Sequence, residues 1–336
     1  MSSSVIAGMK PRPLDVRTPV AAPASAASPA KLLYSFKGHT DAVDALAFSP
    51  DRCLLASGGR DGTGKIWEVG RSKPGERGSF RKPGNGFRSL AFSANSRQLV
   101  AGAFTSQITL FDVSDKITQE IRSLRGGRGS INSVAFSPDG KLLAAGGEDQ
   151  TLRVWETAPG SGSEPRSLLP GHTGAIRSLT FAPDGQTLAT AGADATARIW
   201  TMSRIRSSQK LSLPHAGEVN TVAYSADGKF LVTAVADKRI CLWDLTGLKP
   251  MVLTELAGHA GGTRLVLFTP DSETVVSVGS DSQVINWSMS AYKPRQVWEL
   301  PNARVTSFAL TPDGRYLARG MADGTVEVFR VAEKRA

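Results

Sequence analysis

Short runs of alternating hydrophobic and polar residues follow one another along most of this chain of 336 residues. In the stretch from Pro170 to Trp200, three such runs are separated by two turn sequences, residues 183–185 (Pro-Asp-Gly) and residues 192–195 (Gly-Ala-Asp-Ala). Alternation with a period of two residues, interrupted by such turns, is typical of short antiparallel strands. The pattern returns about every 44 residues, a spacing that indicates a β-propeller or a solenoid.

The repeated units keep a fixed register. Four of them contain a histidine, an aspartate 22 residues later and a tryptophan six residues after the aspartate. Each of the four also has Ser or Thr four residues before the aspartate, which gives these sets: His39, Ser57, Asp61 and Trp67; His172, Thr190, Asp194 and Trp200; His215, Thr233, Asp237 and Trp243; His259, Ser277, Asp281 and Trp287. Three further copies lack the histidine and end on Phe111, Trp155 and Phe329. Seven copies in step predict seven similar structural units.

These Gly-His pairs, Ser-Pro-Asp-Gly turns and Trp-Asp-type ends, repeated from about Lys31 to Val331, resemble those of WD40 repeat proteins. The resemblance implies an all-β fold, a closed seven-bladed β-propeller of four-stranded antiparallel blades. It also implies that the N-terminal strand, residues 31–36, completes the last blade. Closing the ring in this way removes an open end with unpaired strand edges.

In the WD40 family the four side chains of a complete set form a buried hydrogen-bonded chain from indole through hydroxyl and imidazole to carboxylate, and the resemblance implies the same here. Such a chain stabilises a fold only when every member has a partner. This explains why the copies without histidine also lack the hydroxyl, having Ala101, Ala145 and Arg319 at that position. We therefore expect the second, third and seventh blades to be the less stable ones.

Histidine, aspartate and a hydroxyl at fixed spacing also suggest a catalytic or metal site. Four identical centres around a ring favour the structural interpretation, so we predict no catalytic residue, no metal and no cofactor. Residues 59–65 have the glycine and lysine spacing of a phosphate-binding loop, but Ile66 replaces the required Ser or Thr. Because this segment also lies between two strand patterns, nucleotide binding is not expected there.

The ends of the chain and its composition define the remaining organisation. Residues 1–30 are rich in Ser, Ala and Pro and predict a disordered tail, with an organellar transit peptide as the alternative. The propeller is expected to span residues 31–331, followed by a short tail at 332–336. Cys53 and Cys241 lie in different repeats, which favours free thiols in a reducing, cytoplasmic compartment. No apolar run reaches 18 residues, so no membrane span is expected.

If the repeated core is structural, function is expected at the rims of the ring. In the fold that the resemblance implies, two positions per repeat face the channel mouth: the residue after the first apolar residue of each innermost strand, and the residue before the motif aspartate. Near this mouth we identify six candidate partner-binding residues: Arg60, Arg88, Phe104, Arg177, Arg264 and Arg304. Arginine binds carboxylates and phosphates through forked hydrogen bonds. An alternative is that these residues are ordinary solvated rim positions.

The sequence therefore predicts a non-catalytic scaffold, a monomeric propeller within a larger complex. It would bind acidic or phosphorylated segments of partner proteins or peptides at the channel rim. The formal net charge of +10 leaves nucleic-acid binding as the alternative. Against it, basic and aromatic residues are not interleaved as in stacking platforms. The most basic segment, residues 70–88, is interpreted as a solvated surface loop, with a phosphate or acidic docking patch as the alternative.

Overall fold

The computed structural model describes residues 28–70, 74–82, 86–115, 117–203, 207–247 and 249–331. All regular structure in these residues is β-strand, arranged as seven sheets. Within that part of the chain there is no helix of the length and apolarity needed to cross a membrane.

After the two N-terminal strands, the strands follow one another in blades, and within each blade every strand pairs antiparallel with the next. The N-terminal strands are β1 (Ser28–Pro29) and β2 (Lys31–Lys37). Blades one to four consist of β3 (Val43–Phe48), β4 (Leu54–Gly59), β5 (Thr63–Glu68) and β6 (Gly75–Arg81); β7 (Phe87–Phe92), β8 (Gln98–Ala103), β9 (Gln107–Asp112) and β10 (Gln119–Arg125); β11 (Ile131–Phe136), β12 (Leu142–Gly147), β13 (Leu152–Glu156) and β14 (Ser167–Leu169); β15 (Ile176–Phe181), β16 (Thr187–Gly192), β17 (Thr196–Thr201) and β18 (Ser208–Pro214).

The remaining strands complete the ring. Blade five consists of β19 (Val219–Tyr224), β20 (Phe230–Val235), β21 (Arg239–Asp244) and β22 (Met251–Ala257). Blade six consists of β23 (Thr263–Phe268), β24 (Thr274–Gly279), β25 (Gln283–Ser288) and β26 (Pro294–Glu299). Blade seven consists of β27 (Val305–Leu310), β28 (Tyr316–Met321) and β29 (Thr325–Arg330), together with β2. The predicted all-β architecture of seven four-stranded antiparallel blades is confirmed.

The hydrophobic core lies between the blades. One cluster, for example, joins Leu54 and Phe80 of the first blade to Phe87 and Leu99 of the second. The first two blades approach closely at Gly58, where no larger residue would fit. A Cβ built on Gly58 would lie only 2.6 Å from the Cβ of Phe87. Each blade is therefore stabilised mainly by burying its faces against its two neighbours.

Both ends of the described chain contribute to the seventh blade. Strand β2 pairs antiparallel with β29, from Lys31 opposite Arg330 to Lys37 opposite Thr325. The innermost strands of the seventh and first blades are also joined, because Thr306 Oγ1 donates to the Val43 carbonyl at 2.6 Å. The first and last blades thus contact each other directly.

Residues 28–30, just before β2, also belong to the folded region, although the sequence predicts that the propeller begins at residue 31. Strand β1 runs parallel to β26, with Ser28 opposite Trp298 and Pro29 opposite Glu299. The Ala30 N–H donates to the Glu299 carbonyl at 3.0 Å. The segments 1–27 and 332–336, interpreted as tails, lie outside the described residues.

The basic segment 70–88 differs from its interpretation as a solvated loop. Residues 75–81 form β6, the outer strand of the first blade. Lys82 forms an ion pair with Glu120 at 2.6 Å, and Arg77 donates to the Ser114 carbonyl. These two side chains therefore link the first blade to the second; residues 71–73 and 83–85 lie outside the described ranges.

Candidate functional site

The fourth blade contains the complete hydrogen-bonded chain expected from its four motif residues. The Trp200 indole donates to Thr190 Oγ1 at 2.9 Å, and Thr190 Oγ1 lies 2.7 Å from His172 Nε2. His172 Nδ1 lies 2.9 Å from Asp194 Oδ2, which also accepts the Thr173 backbone N–H at 2.9 Å. The sets around His39 and His259 have the same order of contacts, with a longer imidazole–carboxylate distance of 3.3 Å between His39 and Asp61.

The protonation states of His172 and Asp194 are consistent with hydrogen bonds that all run in one direction, from the Trp200 indole to the Asp194 carboxylate. Burial lowers the pKa of the His172 imidazole, and the nearby Asp194 carboxylate compensates only in part. Burial would raise the pKa of Asp194, but hydrogen bonds from Thr173 and Thr196 outweigh it, so this pKa is lowered. A neutral imidazole then donates from Nδ1 to an ionised carboxylate and accepts the Thr190 hydroxyl proton at Nε2. Every group in the chain has a partner, which suits a structural clasp between strands.

Three of the six predicted rim residues come together where the first blade meets the second. The guanidinium carbons of Arg60 and Arg88 lie 5.6 Å and 5.4 Å from the centroid of the Phe104 ring. Arg60 is held by an ion pair with Asp44 at 2.5 Å, whose side chain is 3% exposed. Arg88 is exposed and has no ion pair within the described residues. We call Arg60, Arg88 and Phe104 the arginine–phenylalanine patch.

The other three rim arginines lie apart from this patch. Arg177, on β15 of the fourth blade, forms an ion pair with Glu218 of the fifth blade. Arg264, on β23, and Arg304, just before β27, are exposed, and the described part of the chain provides neither with an ion pair. The six predicted rim residues thus divide into the arginine–phenylalanine patch, the ion-paired Arg177, and the two exposed arginines Arg264 and Arg304.

Comparison with known proteins agrees with this architecture. The family model described as "WD domain, G-beta repeat" matches residues 30–68, 118–156, 163–201, 207–244 and 293–330, more than half of the chain. The chain belongs to the WD40 repeat family. A segment of 46 residues is 46% identical to the small ribosomal subunit protein RACK1 of Neurospora crassa, a match that covers 14% of this chain and 15% of that protein.

The fifth WD40 repeat departs from the expected four-residue chain. His215 Nε2 lies 2.8 Å from Thr233 Oγ1, but His215 Nδ1 donates to the Leu213 carbonyl at 2.9 Å. Asp237 instead forms an ion pair with Arg239, which also binds Glu255 at 2.9 Å. The structure thus corrects the assignment of Asp237 to the buried chain.

Two substitutions account for this difference. Pro214 precedes His215, where the first and fourth repeats have Gly38 and Gly171. A Cβ at either glycine would approach the repeat's tryptophan ring to 2.9 Å, so a proline cannot take the same position. Arg239 occupies the place of Thr196, whose hydroxyl binds Asp194 in the fourth repeat. Both substitutions can be read from the sequence, but only when the fifth repeat is aligned with the other repeats.

The fourth and fifth repeats provide a direct test of the clasp. We expect Asp194→Ala to lower the free energy of unfolding by about 2–3 kcal/mol, because it removes a charge-assisted hydrogen bond and leaves a buried imidazole N–H unpaired. Asp237→Ala should cost less than about 1 kcal/mol, since its ion pair is partly exposed. Urea denaturation measures both, and equal losses would contradict the clasp model.

In two repeats without the motif histidine, an arginine forms an ion pair close to the motif positions. In the third blade Arg153 forms an ion pair with Asp149 at 2.7 Å. In the seventh blade the buried Arg319 pairs with Glu327 at 2.7 Å, and its guanidinium lies 4.8 Å from the Phe329 ring centroid. The sequence pattern did not identify the ion-pair partner of Arg153 or of Arg319.

The segment with phosphate-loop spacing, the possible metal ligands and the two cysteines can now be located in the structure. Residues 59–65 join β4 to β5 as a hairpin, and Asp61 accepts the Thr63 N–H within this turn at 2.9 Å. In the described residues no group of three or more His, Cys, Asp or Glu side chains is placed to hold a metal ion. Cys53 and Cys241 are not joined by a disulfide.

Proposed function

We propose that this WD40 propeller is a non-catalytic scaffold that binds acidic or phosphorylated segments of partner proteins at its channel rim. The observation that carries the proposal is the arginine–phenylalanine patch. There a partly exposed aromatic ring lies against two guanidinium groups, one of which has no ion pair in the part of the chain that the structure describes. Such a surface offers both apolar contact and forked donors for a carboxylate or phosphate.

The two arginines of the patch have different parts in this proposal. Asp44 neutralises Arg60 and fixes its position, so Arg60 mainly supports the Phe104 ring. Arg88 carries the uncompensated charge and is the residue that would bind the anionic group of the partner. Phe104 would then pack against an apolar side chain beside that group. Arg177 is a weaker candidate, since Glu218 competes for its guanidinium.

Further support for an interaction role comes from the family and from the similar protein. WD40 propellers typically act as non-catalytic platforms for other proteins. The relative from Neurospora crassa is named as a ribosomal subunit protein, but the match covers about one repeat, so it supports an interaction role and no particular assembly. We further propose a monomeric propeller within a larger complex and a cytoplasmic location, which the two free cysteines suit.

Binding to defined peptides tests the proposal. Wild-type protein should bind labelled acidic and phosphorylated peptides, and the Arg88→Ala, Phe104→Ala double variant should bind them at least about tenfold more weakly, because it loses a charge-assisted hydrogen bond and an aromatic contact. The control is Arg97→Ala, an exposed arginine of the same blade in the turn between β7 and β8, at the other end of these strands.

Two results would overturn the assignment. One is equal binding by the wild type and the double variant at unchanged melting temperature. The other is stronger binding of duplex DNA or RNA than of any peptide, with a steep dependence on salt, which would favour nucleic acid as the partner.

A further inference from the structure

The sixth and seventh blades meet at the loosest seam of the ring. Their innermost strands, β23 and β27, come close along much less of their length than any other neighbouring pair of innermost strands. Both strands are fully described, and no hydrogen bond or ion pair joins them. By contrast, Thr306 of β27 binds the Val43 carbonyl on its other side at 2.6 Å, and Asn220 binds the Thr263 carbonyl from the fifth blade at 3.4 Å.

The sequence at the start of β23 explains part of this looseness. The other innermost strands begin with a large apolar residue: Val43, Phe87, Ile131, Ile176, Val219 and Val305. Strand β23 begins with Thr263, whose side chain is fully buried and whose hydroxyl has no hydrogen-bond partner. Across the seam Val305 is only partly buried, whereas the equivalent Val43 and Val219 are fully buried. At the start of these two strands the seam therefore contains a buried hydroxyl without a hydrogen bond and a valine that is only partly buried.

Two arginines that have no ion pair within the described residues lie at this end of the two strands. Arg264 follows Thr263 directly, and Arg304 directly precedes β27. Both are exposed, in contrast to Arg60 and Arg177, which have carboxylate partners. On the seventh-blade side lies an open cavity of about 470 Å³, whose lining residues all belong to that blade: Ala303, Arg304, Met321, Ala322 and Asp323. Its size is sufficient for an amino-acid side chain.

We propose that this seam is a second anion-binding site, which takes an aspartate or glutamate side chain of a partner protein. A carboxylate in this cavity would bind the Arg304 guanidinium through charge-assisted hydrogen bonds, and the charge of Arg264, at the start of the neighbouring innermost strand, would add to the attraction. Asp323, which also lines the cavity, would repel a doubly charged phosphate more strongly than a singly charged carboxylate. The seam is therefore proposed to bind carboxylates, whereas the arginine–phenylalanine patch is proposed to bind carboxylates or phosphates.

This inference rests on the proposed function only in taking a protein as the source of the carboxylate. Its residues, Arg264 and Arg304, do not overlap with the patch. A partner segment that reached both sites would gain affinity from the second contact without any change in the first.

A labelled octaglutamate peptide serves as the probe, with binding followed by fluorescence anisotropy. We expect the Arg264→Ala, Arg304→Ala double variant to bind about tenfold more weakly than the wild type, as expected when charged contacts at an interface are removed. The control variant, Arg97→Ala with Arg295→Ala, removes the same total charge from exposed positions elsewhere and should differ from the wild type by less than about threefold.

The patch variant, Arg88→Ala with Phe104→Ala, separates this proposal from the proposed function. If the seam variant binds like the wild type while the patch variant loses binding, the seam site is wrong and the proposed function stands. If only the seam variant loses binding, the seam site stands and the patch is not the docking site. Displacement of the peptide from the patch variant by millimolar inorganic phosphate would overturn the carboxylate assignment.

Discussion

A protein lacking residues 1–37 is expected to aggregate, whereas one lacking residues 1–27 should be as stable as the full chain. Strand β2 provides the outer strand of the seventh blade and pairs along the whole of β29. It also buries Phe36, whose ring stacks on that of Trp67 with centroids 4.8 Å apart. Its removal exposes an unpaired strand edge and loses about 1.5–3 kcal/mol from Phe36 alone.

A deletion of residues 1–30 gives the intermediate case. It removes the short parallel pairing of β1 with β26 and the hydrogen bond from Ala30 to Glu299, but leaves β2 in place. We expect a loss of about 1 kcal/mol, the contribution of one or two hydrogen bonds. Size-exclusion chromatography and urea denaturation of the three deletions measure the series. A soluble protein of full stability without residues 31–37 would show that β2 is dispensable for the ring.

The fold was predictable because the same local signals occur seven times. In the first repeat, the alternation predicts strands at 43–48, 53–57 and 63–69, and the structure has them at 43–48, 54–59 and 63–68. The outer strands were harder to identify, since each is buried along little of its length. In β6, for example, Phe80 is the one buried residue among several charged ones, so the alternation of hydrophobic and polar residues is weak there.

The candidate site was only partly predictable. The spacing identified Arg60, Arg88 and Phe104 as rim positions, and the structure brings them together. It did not identify Asp44 or Glu218 as ion-pair partners, because such pairing depends on distances within and between blades that a repeat pattern does not contain. The spacing also identified Arg264 and Arg304 as rim positions, but only the structure shows that neither has an ion pair within the described residues.

The seventh blade shows the same limit in the core. Sequence analysis treated Arg319 as the loss of a hydroxyl and expected a weaker blade, which stays a prediction. In the structure the Arg319 side chain is 3% exposed, pairs with Glu327 on the neighbouring strand and donates to the Pro301 carbonyl. The guanidinium also lies over Phe329, the residue at the tryptophan position. The Arg319 side chain thus links a neighbouring strand, a loop and an aromatic ring. In the fourth blade this linking is done by the side chains of the hydrogen-bonded chain.

This arrangement predicts a large effect of removing one member of the buried pair. Glu327→Ala should lower the free energy of unfolding by about 3–5 kcal/mol, because it leaves a buried guanidinium without its counter-charge. Replacing both residues, Arg319→Met with Glu327→Leu, should recover most of that loss, since apolar residues of similar volume avoid the cost of burying charge. Urea denaturation of the wild type and these variants gives the comparison.

A matched variant on the surface separates burial from charge. Glu76→Ala removes the carboxylate partner of Lys65, an ion pair of 2.8 Å whose glutamate is 40% exposed, and should cost less than about 1 kcal/mol. If Glu327→Ala costs no more than Glu76→Ala, the buried pair does not stabilise the seventh blade. If instead the Met–Leu double variant is as unstable as Glu327→Ala, the stabilising contact is that of Arg319 with Pro301 and Phe329, and the carboxylate contributes little.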